Sequence, residues 1–314
     1  MSQANTLLNK IKINADWFSV RYVRENNTTR NFRDQKPDGA NFHETKGAMI
    51  EAMKDGYIGY GATNDLSALG IQLAAESALK QAQQLSEHGL QKFTLEERPP
   101  SKGQYISKKR ESFQSFSSKD LTDFQIECCK RLKVSDKIGT TMSNIMYTDQ
   151  VIEYASTNGA DFTQELNLLS TDLIAIAQKG TETQRRSDFG WNGKSYQGGT
   201  ELLNFEEYFS RASVIGNEAV ELLEAENCPT ETTNVVIYPD QLMLQIHESI
   251  GHPLEIDRIL GDERNYAGSS FVKLSDFGKL QYGSKLMNAT FDPTVEGEYA
   301  SYKFDDGGRP AEKS

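Results

Sequence analysis

The chain has 314 residues, with 34 Lys plus Arg against 45 Asp plus Glu and a net charge of −11 at neutral pH. That length suits two or three domains with sizeable cores, and the acidic balance argues against a phosphate-backbone partner, so no nucleic acid is expected. No apolar run reaches membrane-spanning length and none resembles a signal peptide. The three cysteines, Cys128, Cys129 and Cys228, give no disulfide framework. A soluble, cytoplasmic protein is expected.

Residues 15–34 alternate in polarity and predict a hairpin turning at Asn26-Asn27. "GAMIEAMKDGYIGYGATND" predicts two short strands joined at Lys54-Asp55-Gly56. Asp65 or Ser67 then caps a helix in which Leu69, Leu73, Ala74 and Ala78 recur at helical spacing. "EERPPSKGQ" (96–104) is the expected linker, broken by Pro99-Pro100 and Gly103. Beyond it the pattern predicts a helix over 118–134, strands over 138–147 and 150–158 joined at Asp149, and a strand near 171–178. A helix over 204–225 follows, capped by Asn204, and then a second linker, "NCPTETTN". "VVIY" (235–238) is β-branched and predicts a buried strand. The expected class is α+β: an N-terminal antiparallel sheet with covering helices (1–100), a central α+β domain (101–226), and the start of a mixed α/β domain (227–314).

"LQIHESIGHPLEIDRILG" carries the chemistry, because it holds two of the four histidines, His247 and His252, with Glu248 directly after the first. In the zinc-protease spacing H-E-x-x-H both imidazoles share one helix face. Here one residue is inserted, which on a regular helix would turn the rings about 140° apart. Gly251 before His252 and Pro253 after it are expected to break the helix there, letting a local turn swing His252 back. Two readings stay open on spacing alone. One is a metal site with Glu248 placed as general base; the other is a helix ending with a histidine at its C-terminal dipole.

Other patterns carry less. "GYIGYG" does not match G-x-G-x-x-G and is read as a turn between strands. "KKR" (108–110) is a solvated face, and "QRRSDFGW" (184–191) an exposed loop in which Arg185 and Arg186 could meet a substrate carboxylate. His43 and His88 need no special role. The three cysteines are expected to act as small buried hydrophobes.

Three segments in order, "GAMIEAMKDGYIGYGATNDLS", "VVIYPDQLMLQIHESIGHPLEIDRILG" and "ATFDPTVEGEYASYKFDDGGRPA", resemble the TldD/PmbA metalloprotease family, also called modulators of DNA gyrase. The H-E-x-x-x-H motif makes the chain TldD-like, since the PmbA (TldE)-type partners lack it. The resemblance implies His247 and His252 as Zn2+ ligands and Glu248 as the general base of peptide hydrolysis. It implies short or unfolded peptides as substrate, and a heterodimer with a TldE/PmbA-type subunit or a homo-oligomer. The family's third ligand, a cysteine further downstream, has no counterpart before Ser314, and Cys228 lies on the wrong side of the motif. Glu255, Asp257, Asp262 and Glu263 are candidate substitutes. The C-terminal domain is therefore expected to be incomplete, with the segment after 264 giving strands to a sheet it does not finish. A catalytically inactive, partner-binding subunit is the alternative function.

Overall fold

The computed structural model describes every residue except His88, Leu90, Gln91, Arg110 and 191–193, and the side chain of Gln114. Residues 1–224 with 291–314 form one compact unit, and residues 225–290 a second.

The first unit is built on long strands. Helix α1 (Gln3–Leu8) precedes β1 (Trp17–Arg33), β2 (Lys36–Lys54) and β3 (Tyr57–Thr63). Helix α2 (Ala68–Leu85), β4 (Lys102–Ile106) and α3 (Ser118–Leu132) follow. Then come β5 (Ile138–Ser156), β6 (Asp161–Lys179), the short β7 (Glu182–Ser187) and β8 (Lys194–Gln197), and α4 (Phe205–Leu222). The sheet order is β3-β2-β1-β5-β6-β4, with β7 and β8 also on β6. Every pairing is antiparallel except β4 with β6. The fold class is α+β, as the sequence predicts, and one sheet runs through both of the first two expected domains.

The turns sit where left-handed backbone is cheapest. Asp55 and Gly56 turn β2 into β3, as expected, with φ of 54° and 83°. The other expected turns are corrected. Asn26 and Asn27 lie mid-strand, opposite Glu44 and His43 on one side and Asp149 and Thr148 on the other. The chain instead reverses at Asp34-Gln35, where φ is 49° and 65°. Asp149 likewise lies within an unbroken β5. In both places asparagine or aspartate marks a turn locally, but neighbours pairing on both sides hold the backbone extended. Part of the expected linker, from Lys102, is strand β4.

Side chains alternate along the strands, and all four helices cover the same face. Val20, Ile50 and Ala52 pack under α1 and α2 with Ile71, Ala75 and Ala78. Ile145, Tyr147, Leu169 and Leu173 pack under α3 and α4 with Phe124, Cys128, Tyr208 and Ile215. Ser67, rather than Asp65, accepts the Gly70 N–H and caps α2. Its buried stripe is Ile71, Ala74, Ala75, Ala78 and Ala82, whereas Leu69 and Leu73 are 67% and 56% exposed. The glycines of "GYIGYG" explain this. A Cβ at Gly59 would lie 2.1 Å from the Ala78 carbonyl oxygen, and one at Gly61 2.0 Å from that of Ala74. These glycines let helix and strand backbones meet, which favours alanine on the facing stripe.

The opposite face is partly covered by residues 291–314, which place Phe304 on Phe162 and Tyr154. Gln164 fixes this segment by accepting from the Lys303 and Phe304 N–H groups and donating to the Phe304 carbonyl. The segment after 264 was expected to form strands. Among the described residues it forms turns, one short 3-10 helix and isolated bridges at Glu298 and at Phe304 with Pro310.

Candidate metal centre

The second unit carries the histidines. Helix α5 (Pro239–Ile246) starts on a proline at its first position, where a missing N–H costs nothing, and has Asp240 in its first turn. The expected buried strand before it is corrected: Val235 and Val236 are 75% and 87% exposed, with no strand pairing among the described residues. A β-branched run forms a strand only where a neighbour completes its hydrogen-bond ladder.

The expected break at Gly251-His252-Pro253 is also corrected. Gly251 (φ −56°, ψ −70°) and His252 (φ −58°, ψ −44°) stay right-handed helical. The chain absorbs the extra residue by widening: His247–Gly251 is a π-turn in which the His252 N–H reaches the His247 carbonyl. An i→i+5 bond brings residue i+5 back over residue i, so five-residue spacing does here what four-residue spacing does on an α-helix. Pro253 opens the following 3-10 turn, where it is tolerated. The imidazole rings meet edge to face with centroids 4.3 Å apart.

His247, Glu248 and His252 offer donor atoms that all lie within 4.8 Å of one another. The His247 and Glu248 side chains are each 58% exposed, and that of His252 is 29% exposed. The chain leaves the helix at Glu255 (ψ 124°), and helix α6 (Ile256–Leu260) follows. This bend turns the Glu255 carboxylate back onto His252, with Oε1 2.8 Å from Nδ1. Its Oε2 accepts from Arg258 Nε at 2.5 Å, and Arg258 Nη1 donates to the Ala267 carbonyl at 3.1 Å. Arg258 Nη2 also lies 3.2 Å from His252 Nδ1. The hydrogen bond from His252, and then Arg258, hold the Glu255 carboxyl below its ordinary range. With the ring proton on Nδ1, facing this carboxylate, Nε2 presents its lone pair outward. Two imidazoles and a carboxylate so placed suit a divalent cation of borderline softness.

Glu255 was a candidate ligand from the sequence; its carboxylate stands against Nδ1, the position of a partner that orients a ligand. Arg258 had no role assigned, and its only trace was the E-x-x-R spacing. Asp257 donates nothing to the cluster and accepts from the Arg258 N–H. Cys128 and Cys129 are buried as expected, but Cys228 is exposed, a correction. Arg186 binds Glu218 at 2.6 Å, and Arg185 lies 4.0 Å from Asp172. His88, Arg110 and Trp191 lie outside the described residues. Among the described residues, no helix is long and apolar enough to cross a membrane.

Two family models match the first unit: the PmbA/TldA metallopeptidase domain 1 over residues 18–82, and the PmbA/TldA metallopeptidase central domain over residues 111–225. Together they take in more than half of the chain. The chain belongs to the PmbA/TldD family. Membership of a metallopeptidase family implies a metal ion.

Two archaeal relatives named metalloprotease are similar to it. One, from Methanocaldococcus jannaschii, is 31% identical over 109 residues, which is 35% of this chain and 22% of the relative. The other, from Methanothermobacter thermautotrophicus, is 28% identical over 177 residues, which is 55% of this chain and 36% of the relative. The matches therefore span well under two thirds of either relative's length. Solved structures share the fold. The candidate modulator of DNA gyrase from Bacteroides thetaiotaomicron has a TM-score of 0.70 at 15% identity, over 99% of this chain and 68% of its own. A Thermotoga maritima protein of the same description scores 0.62 at 19% identity, over 95% and 64%. TldE from Thermococcus kodakarensis scores 0.61 at 15% identity, over 99% and 66%.

Proposed function

We propose that this PmbA/TldD-family chain carries the metal-binding motif of a zinc peptidase acting in the cytoplasm. His247 and His252 hold the ion, and Glu248 is the general base. The observation that carries this reading is the π-turn, which gathers both imidazoles and Glu248 within 4.8 Å on one exposed surface. When bound, zinc supplies Lewis acidity, lowering the pKa of water to roughly 7 and polarising a carbonyl. Glu248 takes a proton from the attacking water on a carboxylate oxygen and returns it to the leaving amine. Glu255 fixes the His252 ring by accepting from Nδ1. The substrate class proposed is short or unfolded peptides, and the proposed partner is a TldE/PmbA-type subunit, in keeping with the fold shared with TldE.

A second reading, a non-catalytic partner-binding subunit, is favoured by the ligand set. Two histidines are one protein ligand fewer than a catalytic zinc site ordinarily has. Zinc stoichiometry after dialysis, beside His252→Ala, tests the first reading: near one ion per chain, lost in the variant, is expected. Little zinc in either sample would turn the reading to the second. Glu248→Gln should then keep the metal and lose peptide turnover, and unchanged turnover would remove Glu248 from the mechanism.

A further inference from the structure

On the face of the sheet away from the helices, β1, β5 and β6 set three polar side chains in one row. Asn31 stands opposite Asn144, and Asn144 opposite Asp172. Side chains opposed in this way share a face and lie about 5 Å apart. The row lines a pocket of about 320 Å³, walled by Met142 and Met146 on either side of Asn144, with Arg33 and Asp38 also in its lining. Asp172 is the anomaly. The residue is 9% exposed, and its Oδ1 is buried without a hydrogen-bond partner. A buried polar atom left so is costly and calls for a ligand or another functional reason.

The cations nearby do not satisfy it. Arg185 comes only to 4.0 Å from Oδ2, on a side chain that is 52% exposed, and Arg33 is taken by Asp38 at 3.0 Å. Asp188 adds a like charge and is itself held by Arg211 at 2.7 Å. Burial outweighs these neighbours and raises the Asp172 carboxyl to about 7 from the ordinary 3.8. With Arg33 and Asp38 cancelling, an ionised Asp172 gives the pocket lining one unmatched negative charge.

We infer that this pocket binds a primary ammonium group on an alkyl chain, with Asp172 as its charged acceptor. An ammonium brings three N–H donors and no acceptor, and the row offers a carboxylate beside the amide oxygens of Asn144 and Asn31. The methionines suit the methylene stem, being apolar and adaptable. A divalent cation wants more charged oxygens than one carboxylate. Among the described residues, three metal-ligating groups gather at His247, Glu248 and His252 and not here. The ammonium can belong to a free diamine or to a lysine side chain of a peptide. The pocket lies wholly within the first unit, so the inference stands apart from the metal centre of residues 225–290.

Isothermal titration calorimetry of the full chain at pH 7 tests this. The probes are 1,5-diaminopentane and Nα-acetyl-lysine amide, with Nα-acetyl-norleucine amide as the control that lacks only the amine. One or both amines should bind and the control should not. Binding of both assigns the site to the ammonium from either source, and binding of the lysine amide alone assigns it to a peptide side chain. Binding ionises Asp172, whose proton leaves to solvent, so titrations in buffers of different ionisation enthalpy should show release of about half a proton. Asp172→Asn keeps the shape of the side chain and removes its charge, so the variant should fold, bind the amines at least about tenfold more weakly and release no proton. Three outcomes would overturn the inference: no binding of either amine, equal binding of the norleucine control, or amine binding that Asp172→Asn leaves unmoved.

Discussion

The two units hold their shape by different means. In the first, Trp17, Ile50, Ile71, Leu173 and Ile215 are essentially buried, and two helix pairs seal one face of a single sheet. In the second, among the described residues, Val272 alone is buried. What orders the histidines there is a set of local bonds. Glu255 and Arg258 brace His252, Ser270 Oγ donates to the Pro253 carbonyl, and the Tyr282 hydroxyl donates to the Ser249 carbonyl. A packed core fixes geometry collectively, whereas a hydrogen-bonded turn is only as firm as its bonds and any ion that ties them together. Stability and metal chemistry should therefore respond to separate sets of residues.

The largest effect expected is in the first unit. Trp17 is 1% exposed, packs with Met53 and Ile58, and donates from Nε1 to Asn158 Oδ1 at 2.9 Å. Trp17→Ala should cost about 3–5 kcal/mol of unfolding free energy by denaturant titration, from the cavity and the lost hydrogen bond to Asn158, whose Oδ1 keeps the Ser156 hydroxyl as donor. Zinc affinity of the folded fraction should stay put. A matching loss of zinc would show that the units are not separable in this way.

The next effect is a pH dependence confined to the same unit. Asp172 lies on the helix-free face of β6, opposite Asn144, and its Oδ1 is buried without a hydrogen-bond partner. Burial raises its pKa to about 7 from the ordinary 3.8, against the pull of Arg185. The folded chain thus keeps a proton that the unfolded chain releases. Stability contributed by this group is full below about pH 4 and falls as pH rises to about 7. Asp172→Asn should flatten that fall and gain a few kcal/mol above pH 7. An unchanged stability-against-pH curve would show that Asp172 is solvated or paired in solution.

These two residues also mark what the sequence could disclose. The α+β class, the Asp55-Gly56 turn and the caps at Ser67 and Asn204 rest on local patterns, and all are legible. The Asn26-Asn27 and Asp149 turns fail because two flanking strands outweigh a turn propensity, and pairing partners are not visible in a single segment. Leu69 and Leu73 mislead because the facing strand carries Gly59 and Gly61, so the close-packed stripe belongs to alanines. At the histidines, the residues were legible but the device was not. Gly251 and Pro253 suggest a break, while the backbone accommodates the insertion as a π-turn, a choice that depends on contacts around it. Asp172 is one polar residue in a strand pattern, and its burial is a property of the sheet.

In the second unit the expected effects are smaller and local. Glu255→Gln keeps the shape of the side chain and removes its charge, so His252 loses a charged acceptor at Nδ1 and Arg258 loses its ion pair. Zinc affinity should fall about 10–100-fold by competition with a chelator, while global unfolding is unmoved. Unchanged affinity would mean that the negative charge of Glu255 does not set the His252 ring.

The finest distinction between the units lies in their helix caps. In the first unit Ser117 caps α3 with a reciprocal box: its Oγ accepts from the Asp120 N–H at 3.1 Å, and Asp120 Oδ2 accepts from the Ser117 N–H at 2.9 Å. In the second unit Tyr238 precedes α5 with no side-chain cap at all. Ser117→Ala removes a bond from a helix that the core already holds, so its cost of about 1 kcal/mol should appear only in global unfolding. Tyr238→Asp supplies a missing acceptor, and a negative charge at the positive end of the helix dipole. Because so little tertiary packing holds α5, its amides should exchange through local opening rather than global unfolding. Hydrogen exchange over residues 240–246 should therefore slow about fivefold in Tyr238→Asp, with the first unit unaffected. Slowing spread over both units would mean that α5 opens only when the whole chain does, and the contrast between a packed unit and a hydrogen-bonded one would fail at its most sensitive point.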